Sequence, residues 1–251
     1  MQRYFMHLAY NGAPFHGWQY QPNATSVQET IERALATIFR TTVPVTGAGR
    51  TDTGVNARSM VAHLDIPAPI ADTAKAVRAL NTLIGPDIAI YSLTPVHPDA
   101  HARFDATSRT YRYYVTHRKS PFLYPLTWQS PRPLDYEAMN RAAAILPDVS
   151  DFTSFAKLHS DAKTNICHVT EARWIPLPDG TGSYFQITAD RFLRNMVRAV
   201  VGTLVDIGRG KMGLNDFRRI IDDRNRCSAG TSMPPQALYL WDITYPYYHP
   251  E

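Results

Sequence analysis

Along the first hundred residues the spacing of apolar side chains switches back and forth between two periods. The order of those switches restricts the fold more than any other feature of the chain. Residues 3–10 alternate as a strand with Tyr4, Met6, Leu8 and Tyr10 on one face, and Asn11-Gly12 with Pro14 ends it in a loop. Ser26-Val27-Gln28-Glu29 has the form of a capping box and opens a helix whose Val27, Ile31, Leu35 and Ile38 share a stripe. A short strand near 43–46 and a longer one at 59–66 follow. A helix at 73–84 stops at Gly85-Pro86, and residues 87–96 read as a strand. Strand–helix–strand–strand–helix–strand is the order of a ferredoxin-like unit.

The second half repeats the order loosely. Strands are expected at 109–117, 168–175, 184–189 and 237–245, and helices at 135–146, 192–207 and 215–222. The proline-rich stretch 121–133 reads as a long surface loop rather than a linker. Strand runs with segregated helices predict an α+β fold, a mainly antiparallel sheet with helices on one side. The domain division expected is 1–105 and 106–251. Apolar residues make up 44% of the 251, enough for a folded core. The most apolar stretch, 196–205, is interrupted by Arg198 and is too short to span a bilayer. The N-terminus lacks a signal-peptide core, and Cys167 and Cys227 are too few for a disulfide framework, so the expected location is cytoplasmic.

Net charge is only +4, from 26 Lys and Arg against 22 Asp and Glu, but its distribution is uneven. Arg103, Arg109, Arg112, Arg118 and Lys119 lie within one short stretch with Asp105 as the single acid, and Tyr111, Tyr113 and Tyr114 are interleaved with them. Cations neutralise phosphates while aromatic faces stack on unpaired bases, a combination suited to RNA. Charge pattern alone is equally compatible with a strand that has one solvated basic face.

Gly47-Ala48-Gly49-Arg50-Thr51-Asp52-Thr53-Gly54-Val55 is the segment richest in chemical information. It is not a dinucleotide fingerprint, because Asp52 stands where the third glycine belongs, and no Gly-Lys-Ser/Thr follows to make a P-loop. What remains is a carboxylate displayed on a loop between strands, with Arg50 two residues away. An aspartate in such a turn often has only a structural role, accepting backbone hydrogen bonds. Further along, Arg191, Arg194 and Arg198 have the spacing of one helix face, opposite Leu193, Met196, Val197, Val200 and Val201. Arg198 sits in an otherwise apolar stretch, where a partner carboxylate would offset the cost of its charge. His97 and His101 are four apart, but Pro98 opposes a helix there and no metal site is expected.

Several of these segments together resemble the TruA family of tRNA pseudouridine synthases. Gly49-Arg50-Thr51-Asp52-x-Gly54-Val55-x-Ala57 is similar to its signature, and Thr25-Ser26-Val27-Gln28 to its entry into the first helix. Arg109-x-Tyr111-Arg112-Tyr113 resembles its basic-aromatic strand, and Asp151-Phe152-x-Ser154-Phe155 a further loop. The run from Phe192 to Arg198, followed by Val201-Gly202, resembles its arginine helix. The order is right and the coverage is nearly the whole chain. Two positions depart: Asn56 stands where the family usually carries histidine, and Ala237 where glycine is usual.

The resemblance implies two ferredoxin-like halves sharing one sheet, a central catalytic cleft, and a homodimer that holds tRNA. It implies Asp52 as catalytic aspartate, Arg198 as its ionic partner and Tyr111 as the aromatic residue against the target base. Arg50, Arg109, Arg112 and Arg194 are the basic residues expected to bind substrate. The implied targets are uridines 38, 39 and 40 of the anticodon stem-loop, with no cofactor or metal. A non-catalytic tRNA-binding protein would need the basic and aromatic surfaces but not Asp52. A glycoside hydrolase would need a second acid close to the first.

Overall fold

The computed structural model describes residues 1–157 and 163–250. Its longer strands are β1 Gln2–Tyr10, β3 Asn56–Ile66, β4 Ile88–Val96, β5 Ser108–Thr116, β7 Val169–Pro176, β8 Gly182–Ala189 and β9 Leu238–Thr244; β2 Thr46–Gly47 and β6 Trp128–Gln129 are short. The five α-helices among the described residues are α1 Val27–Phe39, α2 Thr73–Leu83, α3 Tyr136–Ala143, α4 Met196–Gly208 and α5 Leu214–Asp223. The architecture mixes helices with mainly antiparallel strand pairs. No helix among the described residues is long and apolar enough to cross a membrane.

The chain divides into two compact units, Met1–Thr107 with the segment from Leu240 onward, and Ser108–Tyr239. This differs from the two consecutive halves expected, because the end of the chain returns to the first unit. In that unit β1 is central, antiparallel to both β3 and β4, and Met6 stands opposite Ala62 on one side and Leu93 on the other. Short β2 pairs antiparallel with β3. The Ser26 hydroxyl caps α1 by accepting from the Glu29 N–H at 3.2 Å, and the expected stripe is buried at Val27, Ile31 and Leu35. Asn81 ties α2 to β4 through both amide groups, donating to the Ile90 carbonyl at 2.7 Å and accepting from the Ile90 N–H at 2.8 Å.

Tyr4, Met6, Leu8 and Tyr10 are buried as their alternation predicts, yet Phe5 and His7 are buried too. Simple alternation misses this because the second face of β1 is covered too, over Phe5 by the returning C-terminal segment and over His7 by Tyr91, whose ring centroid is 5.1 Å away. Phe5 packs against Tyr245 and Tyr248, with ring centroids 5.3 and 5.1 Å away, and the Tyr245 hydroxyl donates to the Ala102 carbonyl at 2.5 Å. On the same face Arg3 forms a two-pronged ion pair with Asp65 at 2.8 and 2.7 Å.

The second unit is built on the antiparallel order β5-β8-β7, with β6 parallel to β5. One face of its sheet is apolar, where Tyr113, Val115, Phe185, Ile187 and Ala189 are buried. Asp135 caps α3, accepting from the Ala138 N–H at 2.9 Å. Asn140 of α3 grips Trp174 of β7 as Asn81 grips Ile90, accepting from its N–H at 2.7 Å and donating to its carbonyl at 3.3 Å. The helix expected from 192 begins only at Met196. Asn195 has a left-handed backbone, φ 66°, which ends any regular helix on its N-terminal side. Arg191 and Arg194 therefore precede α4 and do not share a helix face with Arg198, correcting the expectation drawn from their spacing.

Candidate active site

In the first unit Asp52 sits half-buried on the loop between β2 and β3. The Val55 N–H donates to the Asp52 carbonyl at 3.1 Å, closing a four-residue turn. Gly54, its third residue, has φ 77°, a value that side chains disfavour and that explains glycine there. The residue before Asp52 is held from two directions. The Thr51 hydroxyl meets the Tyr10 hydroxyl at 2.9 Å, and the Thr51 carbonyl accepts from the Trp18 N–H at 3.2 Å. The residue two beyond Asp52 is held as well, since the Gly54 N–H donates to the Phe15 carbonyl at 3.4 Å. A half-buried carboxylate whose neighbours are pinned on both sides keeps its direction, which is what a group acting on one atom of a substrate requires. Arg50 is exposed on the same loop.

In the second unit strand alternation divides the basic-aromatic motif. Arg109, Tyr111 and Tyr113 stand opposite Ala189, Ile187 and Phe185 and so point to the buried face of the sheet. Tyr111 is half-buried, with its ring edge-to-face against Phe192 at 5.0 Å. The Arg109 guanidinium donates to the Asp190 carbonyl at 2.8 Å. Arg112 points to the opposite face, where it donates to Gln186 at 2.7 Å and lies 4.5 Å over the Tyr184 ring. Tyr111 and Arg112, adjacent in sequence, are thus not brought to one surface.

Arg198 is half-buried on α4, with its Nε donating to the Met233 carbonyl at 2.6 Å while its own carbonyl accepts from the Met233 N–H at 3.1 Å. The next residue, Pro234, accepts from the Tyr113 hydroxyl at 3.1 Å. The segment around Met233 therefore links α4 to β5, and burial raises the Tyr113 pKa while the Arg198 charge pulls the other way. A backbone carbonyl meets part of the solvation demand of Arg198 that the sequence assigned to a carboxylate. Arg194 is exposed on the turn before α4, where its carbonyl accepts from the Lys157 N–H at 3.0 Å.

Three contributors escape the sequence reading. Phe192 is the ring that supports Tyr111, Met233-Pro234 is the backbone link, and Tyr10 and Trp18 hold Thr51. The only signal for the last pair was the turn-rich run after β1, and nothing in linear order ties 233–234 to 113 or 198. Among the described residues no group of three or more His, Cys, Asp or Glu is arranged to hold a metal.

The chain as a whole falls into a known class of proteins. A family model described as tRNA pseudouridine synthase matches residues 147–246. A protein of Parabacteroides distasonis named tRNA pseudouridine synthase A is 55% identical over 246 residues, covering 98% of this chain and 97% of its own. One of the same name from Porphyromonas gingivalis is 56% identical over 247 residues, covering 98% of each chain. A more distant one, from Exiguobacterium sibiricum, is 35% identical over 246 residues with 98% of each covered. The chain belongs to the tRNA pseudouridine synthase A family.

Proposed function

We infer that this chain is a tRNA pseudouridine synthase that isomerises uridines 38, 39 and 40 of the anticodon stem-loop, with Asp52 as the catalytic carboxylate. The observation that carries the reading is identity of about half with proteins of that name over almost the full length of both chains. The braced turn around Asp52 supports it. The reaction breaks the N1–C1′ bond and forms a C5–C1′ bond; C5 loses its proton and N1 gains one. The target base must leave the helical stack, which costs a few kcal/mol and is offset by contacts in the site. Tyr111 supplies a ring for the extruded base and Arg198 a positive charge that favours an ionised carboxylate. Asp52 can stabilise positive charge on the sugar, bond to it, deprotonate the adjacent carbon or attack the uracil ring, and all these routes use the same group.

The same reading takes each unit as a ferredoxin-like half and the working form as a homodimer. Supporting the first point are the antiparallel pairings of β1 with β3 and β4 and of β2 with β3, with α1 and α2 in the matching places of the chain order. Incubating the chain with unmodified tRNA and mapping pseudouridine by chemical labelling tests the reading. Label at positions 38–40 is expected, and binding without any label would make the chain a tRNA-binding protein instead.

A further inference from the structure

We propose that Asn56 is a positioning residue for Asp52, acting through the loop formed by residues 12–18. The proposal rests on the functional reading above. Asn56 is the first residue of β3 and is only 2% exposed. Its side-chain oxygen accepts a hydrogen bond from the buried Gly12 N–H at 2.8 Å. Gly12 lies against the Val55 carbonyl, and a Cβ built on it would stand 2.2 Å from that oxygen. The loop thus starts as close to the Asp52 turn as backbone can come.

From that fixed start the loop turns back, with the Phe15 N–H donating to the Gly12 carbonyl at 3.0 Å. It then grips the chain on both sides of Asp52. The Phe15 carbonyl takes the Gly54 N–H, and the Trp18 N–H reaches the Thr51 carbonyl. Every one of these contacts is backbone to backbone except the first, so Asn56 supplies the side-chain anchor of the brace. An apolar residue of the same size would pack but would leave the Gly12 N–H buried without its acceptor, a state backbone groups avoid by moving. Displacement of the loop would carry Thr51 and Gly54, and with them the carboxylate between. Misplacing a reacting group by about 1 Å can cost on the order of 100-fold in rate.

Asn56→Ala and Asn56→His separate this role from general stability. In histidine Nδ1 stands the same number of bonds from Cα as Oδ1 does in asparagine, and the neutral ring accepts there. Asn56→Ala should lower kcat for pseudouridine formation by about 10–100-fold, with KM and tRNA affinity held within about twofold. Asn56→His should recover kcat to within about fivefold of the parent. If the Ala chain does not fold, Asn56→Leu, which keeps the size and removes the acceptor, is read for the same split. An unchanged kcat in Ala or Leu, or a folded His variant as slow as Ala, overturns the proposal. So does a loss spread equally over kcat, KM and Tm. A parent chain that makes no pseudouridine removes the functional reading itself, whereas an active parent with an unaffected variant removes this inference alone.

Discussion

Asp52→Asn removes a charge while keeping size, and backbone hydrogen bonds together with the Thr51 hydroxyl hold the turn on either side of it. Folding and tRNA affinity should therefore survive, while single-turnover pseudouridine formation drops by at least about 10³-fold, the scale set by losing a group that acts in the transition state. Ordinary turnover in that variant would take Asp52 out of the mechanism. Tyr111 divides into ring and hydroxyl. Tyr111→Phe keeps the face against Phe192 and should bind tRNA within about twofold while turnover falls by about 100-fold, whereas Tyr111→Ala should lose both. Equal turnover for the Phe variant and the parent would leave Tyr111 as a stacking ring only. The arginines separate by face. Arg109→Ala and Arg112→Ala should each weaken tRNA binding and reduce the slope of log K against log salt by about 1. Unchanged slopes would mean that both act through contacts within the protein, such as those with Gln186, Tyr184 and Asp190, and not on phosphate. Asn56 places its oxygen where a histidine ring nitrogen could do the same work.

At the scale of elements, the face of β1 and β3 beneath the C-terminal segment concentrates titrating groups. Burial pushes the His63 pKa down to about 4, and the neighbouring His101 and Arg3 charges push the same way. The hydrogen-bond pattern agrees, because His63 Nδ1 accepts from the Ala102 N–H at 3.2 Å and His101 Nδ1 accepts from the Arg103 N–H at 3.1 Å. The unfolded chain takes up a proton at His63 near pH 6.5, whereas the folded chain refuses it until about pH 4. Stability from this site is therefore complete above pH 6.5 and is lost as pH falls through that window. Asp65, lowered chiefly by its hydrogen bond from Arg3, and Asp105, lowered chiefly by the Tyr247 hydroxyl, extend the loss to lower pH. Thermal melts should show Tm falling from pH 6.5 to 4, and His63→Asn should flatten that limb. A parent Tm constant over the window would contradict the assignment. The start of α1 was legible at this scale, since the Ser26 capping box announces it, and α2 and α3 begin within one residue of where the apolar period placed them. The start of α4 was not, because a single left-handed residue, Asn195, overrode an apolar period that continues through it.

For the whole molecule, the segment after Tyr239 decides whether the first unit is complete. Tyr245→Phe keeps the ring and removes the hydroxyl with its bond to the Ala102 carbonyl, and should cost about 1–2 kcal/mol in urea unfolding. Tyr245→Ala also empties the place beside Phe5 and should cost about 3–5 kcal/mol. Equal losses for the two variants would assign the effect to the hydroxyl alone and not to packing across the face of β1.

By itself the sequence determined the order and type of most elements, because period and capping are local properties written into neighbouring residues. It also singled out Asp52, since a carboxylate framed by glycines stands out in linear order. Tertiary structure alone decided three things. It covered Phe5 on the second face of β1 with rings more than 230 positions away, and His7 with Tyr91, so both are buried where alternation predicts exposure. It sent Tyr111 and Arg112 to opposite faces of β5, a consequence of pleating that a motif of adjacent letters hides. And it set a backbone carbonyl on Arg198 and a backbone N–H on Asn56. Main-chain donors and acceptors are the same at almost every position, so a sequence cannot mark which of them a side chain will find.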